Sequence, residues 1–409
     1  MREAHAHILQ IGRARAMRDL SGCAGADEML DELAAQARDR GEHDWVLAHG
    51  ARPEGWARPR WPTIDAIDAA VGGRPALAWC FDYHALAASS AALERAGIDR
   101  DTRFDRGRVE TDASGDPTGL LLEHAALAAW DAVPEPEGDD RRALVRDACA
   151  HLRSLGFTEV HDLKAQPWLG GVLRDLLAAG EIDQSFTLFP LLDDLDAALA
   201  AHDPCDARVA IGGAKIFTDG TLNSRTAWVL EPWADAPDDR PTGTPMMTPA
   251  EIGDAIERAA SRGLPIAAHA IGDGAVRAVL DEVERRHAAH TGIRIEHAEL
   301  IDPDDVPRFA ALGVTASVQP CHLLCDIEAL RRAVPDRLDR VLPLRGLIDS
   351  GLKPGASLVF GSDAPIVRAD PGDSVLAATE RGRAGADERD AIGPDQRLTR
   401  AEALACFGA

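Results

Sequence analysis

His5 and His7 stand two apart in the opening stretch "MREAHAHIL", and Lys215, His269, His297 and Asp363 follow later, each in or at the end of an apolar run. Alternate residues of an extended strand point to one side, so both imidazoles of a His-x-His pair can reach one ion. Such a pair near a terminus carries little weight alone. Four histidines and one aspartate at successive strand ends form a stronger set, because imidazole and carboxylate suit Zn²⁺ first and Mn²⁺, Fe²⁺ or Co²⁺ after it. Lys215 adds a separate signal. The lysines are Lys164, Lys215 and Lys353 in a background of arginine, so a lysine at a strand end asks for a chemical reason. Each residue also has a structural reading: a strand-end histidine can be a hydrogen-bonded core residue, Asp363 in "GSDAP" a turn cap, and Asp363 with Lys215 a buried ion pair. Convergence of all six at one end of one fold favours a site.

A set of this kind needs a scaffold that brings strand ends together. From about residue 140 short apolar strands alternate with amphipathic helical stretches. The strand candidates are "FTEVHD" (157–162), "SFTLFPLL" (185–192), "VAIGGAKIFTDG" (209–220), "LPIAAHA" (264–270), "IRIEHAEL" (293–300), "VTASVQP" (314–320) and "SLVFGSDAP" (357–365). The strand holding His5 and His7 brings them to eight. The spacing predicts helices over 249–263 and 273–290, the second with Asp273 as its cap. Strand and helix in repeated order imply parallel strands, and eight such units imply a closed (β/α)₈ TIM-type barrel. A doubly wound open sheet is the alternative, but it does not gather so many successive strand ends around one mouth. Residues 45–138 break the rhythm with "RPEGWARPRWP" and the linker-like "EPEGDD". They read as an insertion between barrel strands 1 and 2 that caps the site, within a single barrel domain over 1–409.

Composition narrows the function classes. With 44 Lys and Arg against 68 Asp and Glu, the net charge is −24. Such a surface repels phosphate backbones, which argues against nucleic acid or anionic lipid as partner and for a small-molecule substrate. No run of apolar residues is long enough to span a bilayer. The N-terminus shows no basic stretch followed by an apolar run, so a cytoplasmic location is the expectation. The seven cysteines are scattered and lack a CxxC spacing, which reads as reduced, mostly buried thiols. Assembly into a homo-oligomer stays open.

The motifs carry a resemblance. "HAH" at 5–7, "KIFTDGTLNSRTA" at 215–227, "HAIGDGAV" at 269–276, "RIEHAELIDPDDVPRFAALGVTASVQPCH" at 294–322 and "GSDAP" at 361–365 resemble the amidohydrolase superfamily. Within it they are similar to family 3, the YtcJ-like amidohydrolases that include N-substituted formamide deformylases; "FDYHALAASSAALERAGI" at 81–98 agrees. The resemblance implies that CO₂ carboxylates Lys215 and that the carbamate bridges two metal ions. An amine can be deprotonated near cations, whereas a guanidinium stays charged. It places His5, His7 and Asp363 on the first metal, His269 and His297 on the second, and a hydroxide between them. Asp363 then acts as the catalytic proton carrier, taking the proton of the attacking hydroxide and delivering it to the leaving amine. Asp219 and Arg225 are candidates to orient the modified lysine or bind substrate, and His84, Glu123 and His322 to line the pocket.

The expected activity is hydrolysis of a non-peptide C–N bond, in an N-substituted amide or formamide. Two alternatives stand beside it: an ester, lactone or cyclic amide hydrolase on the same metals, and a truncated, inactive ligand-binding barrel. Family members usually flank the barrel with β-rich segments that form a small sandwich. This chain opens at the His-x-His strand and stops at "LTRAEALACFGA", and so reads as a barrel-only variant or, by preference, as a fragment or truncated reading frame. Met1, Arg2 and Glu3 are poor material for a buried parallel strand, which predicts a frayed strand and a weakened hold on His5 and His7.

Overall fold

Every apolar run singled out between residues 157 and 365 contains a strand in the computed structural model, which describes all residues except 42, 43, 82, 84, 105, 106, 204–206, 237, 239 and 409. The chain divides into two compact units, Met1–Ile8 with Ala148–Ala409, and Leu9–Asp147.

In the first unit, β1 (Arg2–Ala6), β2 (Glu159–Asp162), β3 (Ser185–Leu188) and β4 (Val209–Ile211) form one parallel sheet in that order. A second parallel sheet runs β5 (Ala214–Phe217), β6 (Ile266–Ala270), β7 (Arg294–His297), β8 (Thr315–Val318) and β9 (Leu358–Phe360). Isolated parallel bridges join Ala6 with Ala364 and Leu191 with Lys215. The strand predicted over 209–220 is thus two strands, broken at Gly212 and Gly213. A Cβ on Gly213 would lie 2.6 Å from the Pro265 carbonyl oxygen and 3.0 Å from the Phe189 ring, so the chain passes too close to its neighbours there for a side chain.

Residues of β6 and β7 are buried throughout, as expected of parallel strands covered on both faces. The helix predicted over 249–263 spans Pro249–Ala260, where Thr248 and Glu251 form a reciprocal capping box. The helix predicted over 273–290 spans Asp273–Arg285. Asp273 is not its cap: Gly272 holds that position, and the Asp273 carboxylate accepts from the Leu230 N–H at 2.9 Å, tying down a different loop.

The expectation of a frayed first strand is also overturned. β1 runs parallel to β2, paired at Arg2, Glu3 and Ala6 with a register shift between Glu3 and Ala6, and Glu3 is fully buried. Its carboxylate accepts backbone N–H groups from His5 at 3.0 Å and Ser362 at 2.9 Å. A charged residue enters the strand interior because it bonds the backbone on both sides of a seam.

The Leu9–Asp147 unit holds a six-stranded mixed sheet. Arg18–Asp19, Val46–Ala51 and Ala76–Cys80 run parallel, then Ala85–Ala88, Pro117–Glu123 and Gly107–Thr111 alternate in direction. Its core includes Leu77, Trp79, Leu86 and Leu121. Among the described residues no helix is long and apolar enough to cross a membrane, and Cys23, Cys149, Cys321 and Cys406 are free thiols.

Candidate metal centre

β1 and the residue after it deliver His5 and His7 beside Asp363. His5 Nε2 lies 3.2 Å from Asp363 Oδ1, and His7 Nε2 lies 2.8 Å from the same oxygen. The His297 ring sits 5.0 Å from that of His5 and 4.5 Å from that of His269. Ligand atoms of His5, His297 and Asp363 all fall within 4.8 Å of one another. Lys215, on β5, is 1% exposed, and its Nζ has no hydrogen-bond partner. The amine lies 5.0 Å from the centroid of the Phe217 ring, which is 5.2 Å from that of His269.

Two of these residues reach the centre through unusual backbone. In a pleated strand, neighbours point to opposite faces, yet Glu296 bonds His5 while His297 stacks near it. The φ of +70° at His297 breaks the alternation and turns its ring to the same side. Asp363 has φ +62°. Left-handed backbone at non-glycine residues is uncommon, and it persists where the surrounding structure holds it.

The packing around this corner is tight. A Cβ on Gly361 would collide with the His5 backbone nitrogen and lie 2.8 Å from Glu3 Oε1. Gly361→Ala is expected to cost about 1–3 kcal/mol of stability and to lower metal content; thermal unfolding and metal analysis check both.

Electrostatics set the protonation pattern. Burial disfavours a charged His5 ring, but the Asp363 carboxylate beside it outweighs that and raises the pKa. Asp363, despite its burial, is held well below the usual carboxylate range by His5 and His7. Burial, with Lys215 nearby, lowers His269 to about 3, and burial with His269 lowers His297 well below its ordinary value. Both rings are therefore neutral, the form in which imidazole binds metal. Burial lowers Lys215 to about 8, within reach of the neutral amine.

The donor set fits a divalent cation. His5 Nδ1 lies 2.7 Å from Glu296 Oε2, so the neutral ring gives its hydrogen to that carboxylate and turns the Nε2 lone pair toward Asp363. Two acceptors then face each other at 3.2 Å, and only a proton or a cation between them satisfies both. The buried Lys215 amine has no acceptor to hold a charged form, and in its neutral form it offers a further lone pair.

The remaining predicted residues are distributed as follows. Asp219 is buried and accepts from the N–H groups of Trp228 at 2.9 Å, Ile271 at 3.1 Å and Gly272 at 2.9 Å, with His269 Nε2 at 3.4 Å. Burial pushes its carboxyl up to about 7. Arg225 donates to both oxygens of Asp235 at 2.6 Å and to the Leu222 carbonyl. The His322 ring lies 6.1 Å from that of His297, with Nε2 at 3.2 Å from the Ser362 carbonyl oxygen. Glu123, with φ +53°, precedes the helix His124–Asp131 of the Leu9–Asp147 unit. His84 lies outside the described residues. Sequence reasoning missed Glu3, Arg294 and Glu296, all buried against the centre; the one available signal was charge inside strands that otherwise read as apolar. A cleft of about 370 Å³ borders Lys215, with Leu191, Phe217, Met247, Glu251 and Arg258 in its lining.

This buried cluster of histidines, Asp363 and Lys215 lies in or just after parallel strands, and the profile of the amidohydrolase family matches residues 1–409, so the chain belongs to that family and is a hydrolase. YtcJ of Bacillus subtilis (strain 168) is 29% identical over 383 residues, covering 90% of this chain and 70% of the relative. The N-substituted formamide deformylase of Arthrobacter pascens is 27% identical over 429 residues, covering 99% of this chain and 77% of the relative. An uncharacterized metal-dependent hydrolase from Pyrococcus horikoshii OT3 superposes with a TM-score of 0.81 at 27% identity, over 99% of this chain and 79% of that structure.

Proposed function

We propose that the protein hydrolyses N-substituted amides or formamides at a centre of two divalent ions, zinc by preference. The observation that carries this reading is the cluster of His5, His297 and Asp363 donor atoms within 4.8 Å, beside a buried lysine amine with no partner. The two parallel sheets, bridged at Ala6–Ala364 and Leu191–Lys215, are read as one closed (β/α)₈ barrel whose mouth holds the centre. His5, His7 and Asp363 would hold one ion, His269 and His297 the other. Lys215 would bridge them as a carbamate, formed when its neutral amine adds to CO₂ and releases a proton. The similarity to an N-substituted formamide deformylase supports the substrate class.

When bound, the metal supplies Lewis acidity and lowers the pKa of water from 15.7 toward about 7. Asp363 takes the proton of the attacking water and returns it to the leaving nitrogen, as a C–O bond forms and the C–N bond breaks. Asp219, fixed by three backbone N–H groups, holds the loop that follows the strand of His269. His322 and Arg225 remain proposed substrate contacts.

The test is metal analysis of the purified chain together with assays on an N-substituted formamide, an ester, a lactone and a cyclic amide. About two equivalents of metal with release of formate and amine is the expected result. Turnover confined to the ester or lactone would transfer the centre to the second chemistry. A chain that takes up no metal from Zn²⁺ and bicarbonate would leave a ligand-binding barrel.

A further inference from the structure

We propose that Glu296, anchored by Arg294, is a positioning residue that locks His5 in the Nδ1–H tautomer and thereby sets the affinity of the centre for its metal. The inference rests on the reading of His5 as a ligand.

The argument runs along a chain of buried hydrogen bonds. Arg294 Nε donates to Glu296 Oε1 at 2.8 Å, and Nη2 donates to the Ala4 carbonyl and to Ser317 Oγ, both at 2.8 Å. Nη1 lies 2.8 Å from His161 Nδ1. A guanidinium has no acceptor, so His161 Nδ1 must accept, which leaves its Nε2–H to donate to Glu159 Oε1 at 3.0 Å. The guanidinium also stacks 4.9 Å from the Phe189 ring centroid. Arg294 is thus fixed on four sides, and it fixes one oxygen of Glu296.

The other oxygen of Glu296 faces His5 Nδ1 at 2.7 Å. An ionised carboxylate only accepts, so the His5 proton must sit on Nδ1. The Gln319 side-chain nitrogen, 3.2 Å from the same atom, is a longer and uncharged neighbour that does not displace it. In the neutral ring Nε2 is then the atom left with a lone pair, and it is the one directed at Asp363. A carboxylate behind a ligating imidazole orients the ring and raises its basicity. Because β1 supplies both Ala4 and His5, the same arginine also anchors the backbone that carries the ligand.

The test uses the full chain and Co²⁺ as the probe. In Glu296→Gln, one of the two oxygen positions becomes an NH2 donor, so the side chain cannot accept from Arg294 on one side and from His5 on the other, and the lock fails. We expect Co²⁺ affinity, measured against a chromophoric chelator, to fall by about 10- to 100-fold, with a changed visible spectrum of the bound ion. Nitrogen-15 spectra of metal-free, histidine-labelled protein, recorded at alkaline pH where the ring is neutral, should show His5, identified by its loss in His5→Gln, as the Nδ1–H tautomer in the parent and as a mixture in Glu296→Gln. Should Glu296→Gln not fold, the double variant Arg294→Met with Glu296→Leu removes both charges together and is expected to show the same loss of affinity. An Nε2–H tautomer in the parent, or a folded variant that binds Co²⁺ as tightly as the parent, overturns the proposal. A parent that binds no Co²⁺ overturns the metal reading instead, and the tautomer of the metal-free parent still decides this one.

Discussion

Asp363→Asn is expected to reduce kcat by about 10³-fold or more, within the range of a lost general acid–base group, while the chain stays folded. Asparagine keeps the size and hydrogen-bonding oxygen of the side chain but cannot carry a proton between water and leaving nitrogen. The substitution is chosen with the backbone in mind: residue 363 sits at φ +62°, and asparagine is the residue after glycine that best tolerates left-handed backbone. Asp363→Ala would add strain at the same position and confound the reading. The decisive comparison is kcat for parent and variant at matched metal content, with circular dichroism to verify the fold. Turnover within about tenfold of the parent would remove Asp363 from the proton path.

The second large effect concerns Lys215. Lys215→Met should stabilise the metal-free protein by about 3 kcal/mol at pH 7, while lowering the bound metal, two ions in the proposed centre, to at most one. The sign follows from burial. The folded-state pKa of the amine is lowered to about 8 from an ordinary value of 10.5, so folding is penalised wherever the unfolded chain carries the charge. Below pH 8 both states are protonated and the full penalty applies. Between about pH 8 and 10.5 the folded amine is neutral while the unfolded one is charged, so parent stability rises with pH. Above 10.5 the penalty is gone. Urea unfolding of both metal-free proteins across this range should therefore show an advantage for Lys215→Met that shrinks through the same window. A variant less stable than the parent at pH 7 would mean that the amine is paired after all, and retention of two ions would remove it from the bridge.

Much of this centre was legible in the residues themselves. "LPIAAHA" and "IRIEHAEL" announce strands because parallel strands buried on both faces read as continuous apolar runs, and His269 and His297 fall at their ends. The break at Gly212 and Gly213 was hidden, since its cause is the approach of Phe189 and Pro265 from other strands. Glu3 and Arg294 were hidden for a related reason. A buried charge looks misplaced until its partners are known, and those partners, Ser362 for Glu3 and Ala4 for Arg294, lie hundreds of residues away along the chain. Glu296 was masked further by the strand period, which assigns it and His297 to opposite faces.

That same irregularity bears on how the centre can be altered. Because the turn at His297 lies in the main chain, exchange of the proposed ligand there is open chiefly to asparagine and aspartate, which accept φ near +70°, and closed to valine, isoleucine and threonine. An oxygen donor at 297 would harden the site toward Mg²⁺ or Mn²⁺ without moving Glu296, whose own place in the strand is ordinary. Metal preference and the support behind His5 are thus separable by one residue.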